Sequence, residues 1–490
     1  MVLIVHLLGF LSLALGTFML PSLLIALLDG APDVAALGTA SAICIVCGAV
    51  VAGLTRQHGG NLGLKDAFKV VTLAWFLAGF LGSLPYFLYT LMADTPEQAQ
   101  HFPTYADCFF ESVSGFSTTG STILSEIESV PRGLLFWRAM THWLGGMGIV
   151  VLSIAILPLL GGGGMNLFKA EAPGGILPDK LAPRIAETAR SMWWVYIVLT
   201  VAEVFMLLVA DMSLYDAVAH AFATVATGGF STKNSSIASF DSALVDYTIS
   251  FFMFLAGVNF FLHYQALKGT PKAYLKDSEF KFYASTVVIV IALIVADVAY
   301  LYPGNILRAL QDSVFTVIAI VTTTGFGTAN FAEWPEFSKF LLVALMVMGG
   351  SAGSTAGGSK CLRVQIFFKA GYRELKRILH PAAIIPVRVG KRVIPDSAVA
   401  SVLGFITCIA GLFFVSASAL TFMDIDILTS CTAVIACIFN IGPGLGKVGP
   451  VENFGFMPGT AKFILSACMI LGRLEVYTVL VLLIPDFYKK

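Results

Sequence analysis

A turn of small and hydroxyl residues ending in glycine recurs four times, at intervals of about one hundred residues. The copies are Phe116-Ser-Thr-Thr-Gly-Ser121, Val225-Ala-Thr-Gly-Gly-Phe230, Val321-Thr-Thr-Thr-Gly-Phe326 and Phe439-Asn-Ile-Gly-Pro443. Each copy follows a long apolar segment and a helix-like stretch of roughly ten to fifteen residues, which is too short to span a bilayer. A second long apolar segment comes after each turn. The sequence therefore predicts four repeats of outer helix, pore helix, turn and inner helix, which would enclose a central pore.

The composition places these repeats in a membrane. The chain is 57% hydrophobic and 12% charged, whereas about 25% of the residues in a soluble domain are charged. The first apolar stretch, from residue 2 to about 28, has no basic region before it and is long enough to be a retained helix. The net charge is zero, whereas a protein that binds nucleic acid usually carries an excess of basic residues. We predict an all-α polytopic protein surrounded by membrane lipid.

The apolar segments divide the chain into five parts. Two additional N-terminal transmembrane helices occupy residues 1–60, and pseudo-symmetric repeats occupy 66–165, 188–268, 280–380 and 395–487. This arrangement predicts ten spanning segments and four pore helices. Most of the 30 Lys and Arg residues lie in segments on the same side as the N-terminus, and they include Arg56, Lys169, Lys180 and Lys490. The positive-inside rule then places both termini in the cytoplasm, so that all four turns open from the outer face.

An aspartate lies ahead of each turn, near the expected start of the pore helix. Asp107, Asp216, Asp312 and Asp426 precede the aligned glycines by 12 to 16 residues. Aspartate is favoured at the N-cap and at the positive end of the helix dipole. The negative ends of the four helices would then point at the turns, and their convergence favours a cation at that place.

The residue types in the turns favour a monovalent cation. No turn contains Asp or Glu and no His or Cys cluster lies beside one, although a divalent or transition metal would need ligands of these kinds. The turns instead offer backbone carbonyl oxygens, which replace the hydration shell of the ion in potassium channels. Glycine allows positive φ and lets successive carbonyls face one direction. Non-helical backbone at this depth is tolerated where it lines water or is buried in protein.

With these turns the chain resembles the Trk/Ktr/HKT superfamily of potassium transporters, and within it most closely the TrkH/TrkG family of bacterial uptake subunits. The resemblance covers essentially the whole chain, including the two additional N-terminal helices. It implies that the glycine of each turn is the selectivity position and that the preceding residues supply carbonyls. By motif match this filter comprises Thr118, Thr119, Gly120, Ala226, Thr227, Gly228, Thr323, Thr324, Gly325, Asn440, Ile441 and Gly442. The fourth turn departs most from the pattern, because Asn-Ile-Gly-Pro replaces Thr-Thr-Gly-Phe.

The resemblance also implies what passes through the pore and what binds to the protein. Potassium would be the permeating substrate, and the chain itself would hold no bound cofactor. Members of the superfamily with serine in place of the first glycine are associated with sodium permeation, so Gly120 favours potassium. A homodimer in the bacterial inner membrane is expected, with a cytosolic TrkA-type ring of nucleotide-binding subunits. The basic stretch 363–392 is a plausible dock for that ring, although positive-inside topology alone also explains its charge.

The inner helix of the third repeat is interrupted by a run of glycine and small polar residues. The run extends over residues 349–358, about twelve residues after the helix is expected to begin, which is roughly 18 Å deep. It resembles the intramembrane gate loop of the family, and its glycines are Gly349, Gly350, Gly353, Gly357 and Gly358. The alternative is a kink that allows close helix packing.

Arg473 lies about thirteen residues into the last apolar segment, at a comparable depth. An arginine at the bilayer centre costs at least ~3 kcal/mol on insertion scales, so such a residue is a functional candidate. It resembles the positive residue of the family that faces the ion path below the filter and repels potassium. The alternative is a structural partnership with Glu203, with Glu475 or with the gate loop. On the first pore helix, Glu111 is a weaker candidate for bracing the turn.

Three other functions remain as alternatives. The nearest is a cation-coupled transporter of the KtrB type, against which the additional N-terminal helix pair argues. A secondary transporter of a small organic solute would need a larger midplane cavity and usually an inverted repeat. A membrane-embedded enzyme would need a nucleophile–base pair or metal ligands, whereas His142, His220 and His263 are scattered and lack motif context. We therefore do not expect an enzyme.

Overall fold

The computed structural model describes residues 2–55, 64–155 and 181–489. Arg56, Lys169, Lys180 and Lys490, which contribute to the predicted orientation, lie outside these ranges. The predicted all-α membrane fold is confirmed: in the described part of the chain, the only strands form one short antiparallel hairpin, Val387–Val389 with Arg392–Ile394. Within the same ranges, six helices are long and apolar enough to cross a membrane, or eight if each of two bent helix pairs counts as one span.

The N-terminal part forms a tight helical hairpin. Its first arm runs through Val2–Phe18 and Leu20–Asp29, and its second arm is Val34–Leu54. The arms pack so closely that a Cβ atom on Gly48 would lie 2.6 Å from the backbone nitrogen of Leu13. Small residues at such a crossing allow close packing and hydrogen bonds between membrane helices.

The order of outer helix, pore helix, turn and inner helix occurs four times after this hairpin. The outer helices are Leu64–Gly82 with its extension Leu84–Leu91, then Leu181–Val209, Ser278–Val298 and Asp396–Thr421. The pore helices are Tyr105–Phe116, Leu214–Val225, Ile306–Val321 and Ile427–Phe439. The inner segments are Arg132–Ala155, then Ala243–Ala256 with Phe260–Leu267, Glu336–Met348 with Cys361–Leu379, and Gly459–Arg473 with Tyr477–Leu480.

Short helical turns occupy several of the connections. They are Pro96–Gln100, Ile127–Ser129, Ser236–Phe240, Ala273–Lys276, Ala299–Leu301, Phe331–Glu333, Gly446–Val448, Val481–Leu483 and Pro485–Tyr488. Three of the four inner segments are interrupted. The second bends by 101° and the fourth by 105° at their breaks, while the third is separated by the loop that contains the glycine run. The interruption of the third inner segment places non-helical backbone next to the ends of the second, third and fourth pore helices.

The pore helices begin differently from the sequence prediction. Only Asp426 is an N-cap, where it accepts a hydrogen bond from the backbone N–H of Thr429, and this bond lowers the pKa of Asp426. Asp107 and Asp216 lie three residues after the N-caps Thr104 and Ser213, still within the first turn. Both still lie at the positive end of the helix dipole, because they follow the cap within the first turn.

The expectation of an N-cap is also wrong for Asp312. Its helix is capped by Asn305, and Asp312 lies a further two turns along, where it accepts hydrogen bonds from Arg308 and Thr328. The side chain therefore ties the pore helix to the segment that follows its turn, rather than capping the helix. Asp216 makes the corresponding bond to Thr232, at 2.7 Å.

Apolar side chains are distributed as expected for helices surrounded by lipid. One large hydrophobic cluster joins the N-terminal hairpin and all four units. Large side chains on the outer surface nevertheless stay exposed, such as Phe205, Val288 and Phe414, which are each about two-thirds exposed. Because lipid tails are as apolar as these side chains, a membrane protein has no need to bury them.

Candidate functional site

The four turns share one backbone pattern. Each pore helix is followed by a residue in the left-handed conformation, and these residues are Thr118, Thr227, Thr323 and Asn440, with φ of 53°, 56°, 58° and 55°. Two residues later the backbone is left-handed again, at Gly120, Gly229, Gly325 and Gly442. Three of the first set are threonines, for which positive φ is a true outlier. Strain of this kind persists where the surrounding structure enforces it, and it clusters at functional sites.

This pattern corrects the sequence alignment of the second turn. Gly229 has a φ of 80° and matches Gly120, whereas Gly228 does not have positive φ. The alignment on Gly228 is therefore one residue early, and Ala226 is the C-cap that ends the pore helix. The dipeptide Gly229-Phe230, which matches Gly325-Phe326, was the signal in the sequence that could have set this register.

The turns form a closed ring in chain order. A Cβ atom on the glycine of each turn would lie against the carbonyl oxygen of the residue that precedes the glycine in the next turn. The four pairs are Gly120 with Gly228 at 2.1 Å, Gly229 with Thr324 at 1.8 Å, Gly325 with Ile441 at 2.0 Å, and Gly442 with Thr119 at 3.0 Å. Backbone approach this close requires glycine. The last pair joins the fourth turn to the first, so four carbonyls surround one axis.

Side chains behind the ring connect the first and fourth turns. The amide of Asn440 donates to Thr119 Oγ1 at 2.9 Å and to the Met469 carbonyl at 3.0 Å. Ser121 Oγ donates to the Gly442 carbonyl at 2.9 Å. Asparagine also tolerates the left-handed conformation better than most residues. The unusual sequence of the fourth turn therefore preserves the shared backbone pattern and adds a bond to the neighbouring turn.

A polar cavity of about 120 Å³ lies over the ring, on the side of the loops that follow the turns. Its walls include the ring glycines Gly120, Gly229, Gly325 and Gly442. Every turn thus contributes to one opening. Within the described residues, no group of three or more His, Cys, Asp or Glu side chains is arranged to hold a metal ion. The ring itself presents the backbone carbonyl oxygens of Thr119, Gly228, Thr324 and Ile441.

A buried ion pair supports the first and second turns. Arg138 Nε lies 2.6 Å from Glu111 Oε1, and both side chains are almost fully buried. The other carboxylate oxygen of Glu111 accepts from the backbone N–H of Ile123 at 2.9 Å, so this side chain does brace the segment after the first turn. Arg138 also donates to the Ser231 carbonyl and lies over the ring of Phe230. Sequence reasoning missed Arg138, although an arginine inside an apolar segment is itself a functional signal.

The loop in the third inner segment lies directly behind the ring. Thr355 Oγ1 donates to the carbonyls of Val225 and Ala256, at 2.9 and 3.2 Å. The backbone N–H of Gly357 donates to Thr323 Oγ1 at 2.6 Å. The N–H of Gly358 donates to the Phe439 carbonyl at 3.0 Å. The loop thus contacts the ends of the second, third and fourth pore helices.

Positive φ shapes this loop as well. The left-handed residues are Gly349, Gly353, Gly358 and Lys360, whereas Gly350 and Gly357 are needed for space. A Cβ atom on Gly357 would lie 2.2 Å from the Phe439 carbonyl oxygen. The loop is therefore a packed structure that replaces the helix, and it is more than a kink within a continuous helix.

Arg473 contacts the loop rather than an acidic residue. Its Nη1 atom donates to the Thr355 carbonyl at 2.9 Å, and the side chain is 3% exposed. Among the described residues, Nε and Nη2 have no hydrogen-bond partner. Glu475 instead pairs with Arg363 at 2.5 Å. Neither carboxylate oxygen of Glu203 is hydrogen-bonded in the part of the chain that the structure describes. Of the partners considered from the sequence, the loop is the one observed.

A second buried ion pair, which sequence reasoning also missed, joins the first and last units. Lys462 Nζ lies 2.5 Å from Asp107 Oδ1 and also donates to the Gly455 carbonyl. Both charged side chains are nearly inaccessible to solvent. The pair connects the first pore helix to the last inner helix, on the side where the chain must close the ring. A lysine near the end of an apolar segment gives no indication of which partner it will meet.

The fold and the ring define a multi-pass membrane transport protein built from four similar units. The chain belongs to the TrkH family, described as cation transport proteins, whose profile matches residues 35–488.

Individual relatives agree with this assignment. The chain is 40% identical over 482 residues to the Trk system potassium uptake protein TrkH of Salmonella typhimurium, which covers 97% of this chain and 96% of the relative. It is 33% identical over 489 residues to the Trk system potassium uptake protein TrkG of Escherichia coli, covering 99% and 98%. A crystal structure of the potassium transporter TrkH from Vibrio parahaemolyticus superposes with a TM-score of 0.89 at 35% identity, over 99% of both chains.

Proposed function

We propose that this chain carries potassium ions into the cell across a bacterial inner membrane. The observation that carries the proposal is the closed ring, in which each glycine packs against a carbonyl oxygen of the next turn. Carbonyl rings replace the hydration shell of potassium in selective channels. The curated relatives are named potassium uptake proteins, and the present chain shares their length and fold.

Uptake would be channel-like movement down the electrochemical gradient. Each elementary charge that crosses 100 mV gains ~2.3 kcal/mol, so an inside-negative membrane drives accumulation without a second ion. The filter in this proposal comprises the ring glycine of each turn and the two residues before it. The second turn therefore contributes Thr227, Gly228 and Gly229, with Gly229 as the counterpart of Gly120. Potassium is the substrate.

The loop behind the ring is the proposed gate. It is attached to three pore helices through Thr355, Gly357 and Gly358. Arg473 adds a positive charge at the same level and holds the loop through the Thr355 carbonyl. Release of these contacts would open the path, and the charge on Arg473 would oppose the passage of potassium through it.

The proposed assembly is a homodimer with both termini in the cytoplasm and a cytosolic TrkA-type ring of nucleotide-binding subunits. The names of the relatives refer to a transport system, which implies partner proteins. Support for a dock on this chain comes from the helix Cys361–Leu379, which directly follows the gate loop and ends with Lys376 and Arg377. A TrkA-type assembly bound to this helix could move the gate loop directly, because the helix begins where the loop ends.

Cation flux into liposomes that contain the purified chain tests the proposal. The wild type is expected to admit potassium and rubidium in preference to sodium. The variant Gly120→Ser is expected to admit sodium. Its Cβ atom would lie 2.1 Å from the carbonyl oxygen of Gly228, so that this carbonyl would have to move. The matched control is Gly304→Ser, since Gly304 has a similar φ of 77° but no atom within 4 Å of a new Cβ.

Two results would contradict the proposal. The first is that the wild type carries no alkali cation even when the TrkA-type subunits are present. The ring of four turns would then not be a conduction path. A screen for small organic solutes is then the next step. If Gly304→Ser loses selectivity as fully as Gly120→Ser does, the effect comes from general destabilisation rather than from the ring.

A further inference from the structure

A large basic cavity lies at the opposite end of the protein from the ring opening. It has a volume of about 1660 Å³ and is formed by the segment before the third outer helix, the start of that helix, and the turn of the β-hairpin. We call this cavity the basic pocket and define it by its cationic side chains, Lys268, Lys272, Lys276, Lys281, Lys391 and Arg392. Neither the filter nor the gate of the proposed function uses it.

Most of the lysines that define the basic pocket are not neutralised by a carboxylate in the described part of the chain. Among the described residues, Lys272, Lys276, Lys281 and Lys391 form no ion pair with a carboxylate. Both acidic residues of the walls accept hydrogen bonds from backbone N–H groups. Asp277 accepts from the N–H of Phe280 at 2.8 Å, and Glu279 accepts from the N–H groups of Ala352 and Leu362. The pocket therefore suits an anion supplied from outside the chain.

The position of the basic pocket indicates that this anion comes from the membrane. The pocket lies between the end of the inner helix Phe260–Leu267 and the start of the outer helix Ser278–Val298, both of which belong to apolar segments. Leu267 and Leu275 beside it are about two-thirds exposed. Tyr264, which lies under Lys268, supplies an aromatic side chain of the kind enriched at the membrane interface. Basic pockets between membrane helices on the cytoplasmic side bind lipid headgroups.

We propose that the basic pocket binds the phosphate headgroup of an anionic phospholipid from the cytoplasmic leaflet. The lysines contact the phosphate, and the exposed leucines contact the acyl chains. The choice of leaflet rests on the proposed function, because the topology of that function places this end of the protein in the cytoplasm. The headgroup would lie beside Glu279, whose carboxylate accepts from the N–H of Ala352 in the gate loop and from the N–H of Leu362 at the start of the helix that follows the loop. The site thus places a lipid next to the gate.

Binding to the purified full-length chain in detergent tests this inference without any transport measurement. The probes are a short-chain phosphatidylglycerol, the phosphatidylcholine of the same chain length, and inorganic phosphate. The readout is the concentration dependence of the thermal unfolding midpoint. The pocket variant is Lys272→Gln/Lys276→Gln/Lys391→Gln. The control variant Lys376→Gln/Arg377→Gln/Lys489→Gln removes the same number of charges from the same face outside the pocket.

The wild type and the control variant are expected to bind phosphatidylglycerol alike, and the pocket variant at least about tenfold more weakly, since each basic residue contributes appreciably at an anionic surface. Equal weakening in both variants would reduce the effect to general surface charge and overturn the proposal. Binding of inorganic phosphate as tight as that of the lipid would assign the site to free phosphate. Absence of binding would also overturn the proposal. Potassium flux in liposomes of phosphatidylcholine alone tests the proposed function separately, so the two can fail independently.

Discussion

At the scale of single residues, glycine serves two different purposes in the ring. Gly120, Gly229, Gly325 and Gly442 have positive φ and also face a carbonyl of the next turn. Gly228 does not have positive φ, but a Cβ atom there would lie 1.4 Å from Nδ1 of His142. Conformation requires the first four glycines, whereas a neighbouring side chain requires the fifth. This difference explains why the second turn contains two adjacent glycines, Gly228 and Gly229.

The substitution Gly228→Ala tests this distinction. We expect it to lower the unfolding midpoint and the potassium flux, because the new methyl group collides with the buried ring of His142. Adding His142→Ala is expected to restore part of both, since it removes the obstacle, and contacting residues show coupling energies of about 0.5–3 kcal/mol. The cycle is measured by thermal unfolding in detergent. Strict additivity of the two substitutions would show that His142 is not the reason for this glycine.

A second prediction at this scale concerns the charge of Arg473. Arg473→Ala removes a buried positive charge and the bond to the Thr355 carbonyl. The electrostatic effect of a charge grows as the surrounding dielectric constant falls, so we expect potassium flux to rise by roughly threefold or more. Arg473→Lys keeps the charge and is the matched control. Flux is measured in liposomes after equal amounts of folded protein are verified. Unchanged flux in Arg473→Ala would show that the charge of Arg473 does not oppose the passage of potassium.

At the scale of elements, the loop behind the ring shows how a broken helix is stabilised. Its backbone groups donate to Thr323 and to the carbonyls of Gly257 and Phe439, and Glu279 accepts from Ala352. Buried backbone groups need such partners because water does not reach them. The sequence predicted the interruption from its glycines, yet the partners come from segments up to about one hundred residues away.

Two buried hydroxyls of the loop allow a matched test of the gate. Thr355→Val removes the donor to the Val225 and Ala256 carbonyls and keeps the shape of the side chain. Ser354→Ala removes only a bond to the Ser351 carbonyl within the loop. We expect the first change to raise potassium flux, since it removes two of the bonds that hold the loop to the second unit, and the second to leave flux nearly unchanged. Equal fluxes in the two variants would argue against gating by this attachment.

At the scale of the whole molecule, the ring closes through contacts between units that are distant in the chain. The Lys462–Asp107 pair and the Asn440–Thr119 bond both join the first unit to the last. Glu111 and Arg138 join the first unit to the second. Because each of these groups is buried, the closed ring satisfies charges and polar groups that an open arrangement would leave without partners.

The Lys462–Asp107 pair provides a prediction for the stability of the assembled ring. Lys462→Met leaves the Asp107 carboxylate buried with only its capping partner, and removal of one member of a buried pair costs about 3–5 kcal/mol. We expect a clear drop in the thermal unfolding midpoint in detergent. The double variant Lys462→Met/Asp107→Asn removes both charges and is expected to recover most of the loss. A double variant as unstable as Lys462→Met alone would mean that the pair does not close the ring.

The sequence by itself determined the class of the protein and the recurrence of the turns. Long apolar segments have few alternatives to spanning helices in a bilayer, because every buried backbone group must be hydrogen-bonded within the chain. Short pore helices and glycine turns are equally local signals, so the sites of the four turns and of the loop were predicted from residue type and spacing. The recognised family followed from the same features.

Only the tertiary structure decided the register of the second turn and the partners of the buried charges. Two adjacent glycines offer two local alignments, and the choice of Gly229 depends on which carbonyl of the third turn approaches it. The pairing of Lys462 with Asp107, and of Arg473 with the loop, joins residues more than one hundred positions apart. Periodicity and capping preferences act over a few residues, and they contain no information about which distant segments meet. Those contacts arise when the four units close around one axis.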